Sequence, residues 1–174
     1  SGIRYYSGTA VYRKVFDFSS EVRRQKSEVS GAGSRTADLR PLSSDRSLRT
    51  FLDLGRVAVM AEVKLNGRNL GILWKPPYRV DVSDVLKTGE NTLEVKVVNL
   101  WINRQIGDEQ LPEDSDRNPN GTLKSWPQWL QEGKPSPSGR YTFTSWKLWK
   151  KNDHVVESGL IGPVVLRPVY VVGE

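Results

Sequence analysis

An antiparallel all-β sandwich or barrel is the fold this sequence predicts, on three observations. Residues 51–99 read as a near-continuous β-meander. Its turns are spelled out by Asn66-Gly67 and by Gly89-Glu90-Asn91. Ala61, Val63 and Leu65 alternate with Glu62 and Lys64, as Leu93, Val95 and Val97 do with Glu94 and Lys96. Period-two alternation marks strands buried on one face only, and Asn-Gly tolerates the positive φ of a tight hairpin. Many strands with short connections leave a sandwich or a barrel as the solution. Function then has to sit in the loops.

The elements follow in order. Residues 8–18 read as a first strand, with Ala10, Tyr12, Lys14, Phe16 and Phe18 on one face and Val11 and Val15 on the other. A polar excursion occupies about 19–48 within a single domain spanning 1–174. Residues 49–54 and 57–65 resume the sheet, 69–74 return from the hairpin, and Pro76-Pro77 stops that strand before 78–82. Residues 83–86 suit a single helical turn capped by Ser or Asp, ahead of a strand over 92–98. From Leu100 to Gly139 the texture changes to Gly, Pro, Asn, Asp and Ser without alternation, a long irregular loop at one end of the fold. Residues 140–149, rich in aromatic and β-branched side chains, predict a strand, and 159–172 predict the closing one.

Composition excludes several functions. The chain has no Cys and a single histidine, His154, in the turn-like run Lys-Lys-Asn-Asp-His. Thiolate chemistry, a catalytic triad and a histidine-rich metal site are therefore out. No apolar run approaches the roughly 20 residues that span a bilayer, so no membrane partner is expected. The net charge of +6 raises nucleic acid as a partner. Half of it falls in 21–49, where seven basic and four acidic residues lie among Ser, Gly and Ala. That is the composition of a solvated loop rather than of a basic face, so no nucleic-acid partner is expected.

Strand direction locates the chemistry. If Asn66-Gly67 marks one end of the sheet, Pro76-Pro77 and Leu100 both emerge at the other. Trp74, Tyr78, Trp101, Asn103, Arg104, Trp126 and Trp129 then share one rim. Aromatic rings stack on the C–H faces of pyranoses while amide and guanidinium groups reach the hydroxyls, which suits an oligosaccharide or polysaccharide. The candidate contacts are Tyr78, Trp101, Asn103, Arg104, Trp126 and Trp129. A loop of this length also needs a core of its own, and the same tryptophans could supply it. Trp101, directly after a strand, is expected to be buried, and Arg104 could pair with Asp108 instead of a sugar. Trp146 and Trp149 would point to opposite faces of their strand, one of them into the core.

Asp116, Asn118 and Asn120, followed by Gly121, match the opening of an oxygen-ligand calcium loop, although its twelfth position is Pro127 rather than Glu. The alternative is ordinary turn chemistry; no cofactor is required, and a calcium here would be structural. Across Leu100–Gly139 four basic residues face six acidic ones, a net of −2 that makes a poor dock for a polyanion. Asp108, Glu109, Glu113, Asp114 and Asp116 crowd one stretch, whereas glycoside hydrolysis needs two carboxyl groups held on opposite sides of the bond.

The string Leu52-Asp53-Leu54-Gly55, with Leu65-Asn66-Gly67, Gly71 and Gly89-Glu90-Asn91, resembles the sugar-binding β-sandwich of glycoside hydrolase family 2. Asn99 to Arg104, Ile106-Gly107-Asp108, Leu111-Pro112 and Ser158 to Val164 are similar to the C-terminal module of family 106 α-L-rhamnosidases. The resemblance runs from about Tyr5 to Leu166. It implies a galactose-binding-like jelly roll and a non-catalytic role, because the catalytic residues of such enzymes lie in a separate barrel domain. It also implies a monomeric, secreted or periplasmic module that binds plant- or algal-type glycan, or one that docks on the catalytic domain of its parent enzyme and binds no sugar itself.

Overall fold

The computed structural model describes residues 3–19 and 46–172. Its elements are β1 (Thr9–Phe18), β2 (Arg46–Asp53), β3 (Arg56–Ala58), β4 (Met60–Leu65), β5 (Arg68–Leu73), β6 (Arg79–Asp81), β7 (Gly89–Val98), α1 (Ile102–Asp108), α2 (Gln128–Gln131), β8 (Gly159–Gly162) and β9 (Val165–Val172). The chain packs as two compact units, 10–97 with 159–174 and 1–9 with 98–158. All but the ends of the 19–48 excursion lies outside the described residues.

The first unit is an all-β sandwich. One sheet has the order β1-β7-β4-β5 and the other β6-β2-β9, with β3 and β8 as a separate pair. Strand β2 lies antiparallel to both its neighbours, from Phe51↔Asp81 on one side to Leu52↔Leu166 on the other. Strand β9 is an edge, where the missing N–H of Pro168 costs no ladder bond. Between the sheets lie Leu52, Leu54, Ala61, Val63, Leu65, Val82, Leu93, Val95 and Val97, all buried. The β4 and β7 members of that set are the alternating positions of the sequence, so their period is the core-facing side of a pleat.

The hairpin is held by side chains as well as backbone. Asn66 (φ 52°) and Gly67 (φ 82°) both take the left-handed conformation of a two-residue turn. Buried Asn91 locks the turn: its Oδ1 accepts from Asn66 Nδ2 at 2.8 Å and from the Lys87 N–H at 2.9 Å. Its Nδ2 donates to the Lys87 and Gly89 carbonyls. Leu73 pairs with Ala61, and Asn66 N donates to the Thr92 carbonyl at 2.8 Å. Strands β5 and β7 therefore finish at the same end of their sheet, the polarity expected from the hairpin. The turn at 83–85 is also found, its Ser83 N–H accepted by Asp81 Oδ1 at 2.9 Å.

Glycine is compulsory at Gly55. A Cβ there would stand 2.5 Å from the Gly162 carbonyl group, where the two backbones cross, and φ is +64°. This crossing also divides the predicted closing strand. Residues 159–162 pair with β3 while 165–172 pair with β2, with Pro163 between them.

The second unit departs most from expectation. Residues 140–149 form no strand; their single ladder contact is an isolated bridge from Trp146 to Thr122. Two short helices occupy the stretch predicted to be loop throughout, 102–108 and 128–131. No helix among the described residues is long and apolar enough to cross a membrane.

Candidate functional site

The second unit is organised by polar side chains that bind backbone. Helix α1 leans on Tyr5, whose Cβ would lie 2.6 Å from any Cβ at position 107, so Gly107 lets the two segments touch. From the same helix Asn103, 3% exposed, donates to the Val156 carbonyl and accepts from the Val156 N–H, both at 2.8 Å. Asp108, 2% exposed, accepts from the N–H groups of Tyr141 and Thr142 and from the Thr142 hydroxyl at 2.6 to 2.9 Å. Three distant segments are thereby pinned to one helix of seven residues.

A charge network holds the next layer. Glu109 accepts from Arg140 at 2.9 Å and Lys147 at 2.7 Å. Glu113 accepts from Lys147 at 2.6 Å and lies 3.5 Å from Arg117. Arg140 also donates to the Leu111 and Pro112 carbonyls, and Arg117 to those of Gly121 and Thr144. Burial alone would raise the Glu113 carboxyl. The Lys147 hydrogen bond and the charges of Arg140, Lys147 and Arg117 outweigh it and hold the group below its ordinary 4.5. Burial would likewise lower Lys147, but bonds to Glu109 and Glu113 keep it above its ordinary 10.5. With every member paired, the network is built to order loops rather than to move protons.

Beyond it opens a cleft of about 640 Å³ lined by Asp114, Ser115, Asp116, Trp126, Trp129 and Pro137 among others, a size that suits a small ligand. Helix α2 sets its aromatic wall. Trp129 is anchored, its Nε1 donating to the Asp114 carbonyl at 3.0 Å and its ring meeting Phe143 edge-on at 5.8 Å. Trp126 touches Phe143 at the same separation but stays 60% exposed. The Asp114 carboxylate accepts from Ser115 at 2.9 Å and Ser136 at 2.6 Å. The result is one fixed indole, one open indole and a bank of hydrogen-bond acceptors.

The predicted site residues divide accordingly. Trp126 and Trp129 come together on this cleft. Trp101, expected to be buried, is instead 57% exposed, because the chain turns into α1 there instead of continuing the strand. Asn103 is buried, and Val156 occupies both ends of its amide. Arg104 lies 3.7 Å from Asp108 and 5.3 Å over the Tyr141 ring. Tyr78 belongs to the sandwich unit, where it packs against the core and its hydroxyl donates to the Val59 carbonyl at 3.2 Å. Neither Trp146 nor Trp149 is strand-borne. Trp146 is exposed and donates to the Asn120 carbonyl, and half-buried Trp149 donates to Gln105.

The string from Asp116 to Gly121 forms a hairpin turn. Gly121 N donates to Asn118 O at 2.9 Å and Asn118 N to Thr122 O at 2.8 Å. Asn120 Oδ1 is taken by the Thr122 N–H and hydroxyl, and no group of three or more His, Asp or Glu side chains converges among the described residues. The sequence reading missed Phe143 and Ser136 and named Asp114 only as one of a crowd of carboxylates; the roles of all three depend on partners 14 to 22 positions away.

Comparison with known proteins fits this architecture. Over 163 residues, 94% of the chain, it is 48% identical to a protein of Formosa agariphila provisionally named a beta-glucuronidase. The rhamnosidase from Novosphingobium sp. PP1Y matches 94% of the chain at 26% identity with a TM-score of 0.56. The chain is similar to a module of large glycoside hydrolases. It spans 12% of the length of the first relative and 11% of the second. The module's fold also appears in the Bifidobacterium dentium beta-glucuronidase complexed with coumarin-3-O-glucuronide, which matches 95% of the chain at 22% identity with a TM-score of 0.51. No protein-family model matches the chain.

Proposed function

We propose that this chain is a non-catalytic accessory module of a larger glycoside hydrolase, and that it holds glycan against the open indole of Trp126. One observation carries the reading: a largely exposed tryptophan, backed by Phe143 and flanked by Asp114, Asp116 and serine hydroxyls, lines a cleft of sugar dimensions. A pyranose face stacks on the indole while its hydroxyls donate to the carboxylates. A non-catalytic role is supported by the small share of each relative that the chain covers. On this reading the parent enzyme's substrate is a plant- or algal-type polysaccharide, and the module is secreted or periplasmic.

Affinity electrophoresis through gels containing a panel of plant and algal polysaccharides tests this. Retardation by at least one glycan, abolished in Trp126→Ala with an unchanged circular dichroism spectrum, is the expected outcome. Retardation that survives the substitution removes the cleft from the account.

A second reading is favoured by a different feature. The sandwich unit has an apolar groove of about 510 Å³ lined by Tyr12, Phe16, Leu52, Leu93, Val164 and Leu166 among others. Such a surface suits docking against the catalytic domain of the parent enzyme. In that role the module binds no sugar, and Trp126→Ala leaves all gel mobilities unchanged.

A further inference from the structure

The walls of the Trp126 cleft differ in how their charges are compensated. Glu113, which also lines it, is surrounded by cations: Lys147 at 2.6 Å, Arg117 at 3.5 Å and Arg140 at 3.8 Å. Asp114 and Asp116 are not. The two oxygens of Asp114 accept from the hydroxyls of Ser115 and Ser136, which are neutral donors and leave its full charge in place. Asp116 is exposed and uses its backbone carbonyl to accept the Lys124 N–H, while its carboxylate meets no cation within 4.0 Å among the described residues. No Lys, Arg or His lines the cleft.

We infer that the cleft is selective by charge, taking neutral or amino-bearing sugar units and turning away uronate and sulfated ones. This rests on the glycan-binding reading above and adds to it the class of sugar. A carboxylate only accepts hydrogen bonds. Sugar hydroxyls and ammonium groups can therefore satisfy Asp114 and Asp116, whereas a uronate or sulfate would set acceptor against acceptor. Like charges brought within a cleft of this size lie inside the screening length of about 8 Å at physiological salt, so solvent ions do not remove the repulsion. Rejection of the wrong ligand by an unpaired like charge is a general device of specificity. The chain's overall charge of +6 favours anionic ligands, so the local cleft opposes what the whole molecule would attract.

The experiment uses the full chain on an array of neutral, amino, uronate-bearing and sulfated oligosaccharides, with wild type, Asp116→Asn and Trp126→Ala side by side. The expected result is a preference of about tenfold or more for neutral and amino classes at low salt. Asp116→Asn should cut that preference to about threefold or less, and Trp126→Ala should abolish binding of every class. Wild-type binding of uronate or sulfated members as tight as that of neutral ones, lost in Trp126→Ala, would overturn the charge selectivity and leave the glycan reading intact. Binding of no class at all would overturn both.

Discussion

The two units of this chain are held together by opposite means. In the sandwich unit, ten buried apolar residues form one core, each contributing about 1.5–3 kcal/mol for a Val or Leu side chain. In the 98–158 unit the buried residues are Ile106 with Asn103 and Asp108. There the fold is specified by side chains that grip backbone groups far away in sequence. Apolar burial tolerates exchange of one hydrophobe for another, while a buried acceptor has no substitute. The contrast teaches that the sandwich is the scaffold and that the second unit is a shaped surface, fixed residue by residue.

The largest effect that would break this comparison is expected in the scaffold. Leu54 is fully buried, so Leu54→Ala should cost about 2–5 kcal/mol in denaturant unfolding. A loss below 1 kcal/mol would mean that the sandwich core is not the main source of stability.

In the second unit, Asp108→Ala strands two backbone N–H groups and a hydroxyl. It should cost about 2–3 kcal/mol, and hydrogen exchange should accelerate across 98–158 with the sandwich strands unaffected. Equal acceleration in both units would show that they are not separately organised.

Acidity should act on the same unit. The Glu113 carboxyl is held below 4.5 when folded, so the unfolded chain binds its proton first as pH falls. Its contribution is complete above about 4.5 and is lost as pH drops through the lower folded value. Glu113→Gln should flatten the acid limb of the stability profile, and an unchanged limb would dismiss the network as its origin. Lys147, raised above 10.5, gives the opposite sign: its contribution is complete below that value and fades as pH rises through the folded one.

Smaller effects sharpen the assignment of roles. Tyr78→Phe removes the bond to the Val59 carbonyl and should cost about 1 kcal/mol with no change in any glycan affinity. Weakened affinity would return Tyr78 to the binding surface. Least of all, EDTA should leave the melting temperature unchanged, because Asn120 Oδ1 is already occupied by Thr122. A rise on adding calcium would reinstate Asp116, Asn118 and Asn120 as ligands.

How much could be read from the sequence follows the same division. Strands β4 and β7 and the Asn66–Gly67 turn were legible because alternation and positive φ are local properties. The 140–149 stretch has strand composition, yet no partner strand lies alongside it, so its propensity goes unused. Helix α1 was masked by Gly107. Its signals were the spacing of four between Ile102 and Ile106 and between Arg104 and Asp108, the second of which is an ion pair in the structure. The break of the closing strand was marked by the Gly162-Pro163 pair itself. At the cleft, Trp126 and Trp129 were legible as aromatic residues on a loop. Nothing local announced that Asn103 would be spent on Val156, or that Lys147 would reach Glu109 and Glu113.

The central claim is that the ligand face lies in the 98–158 unit and centres on one open indole. Indole N–H resonances of the six tryptophans, followed by NMR during titration with a glycan that retards the protein in gels, test it most directly. The account predicts that the Trp126 signal moves first and furthest while that of Trp74, the exposed tryptophan of the sandwich, stays in place. Movement of Trp74 with Trp126 unperturbed would contradict it.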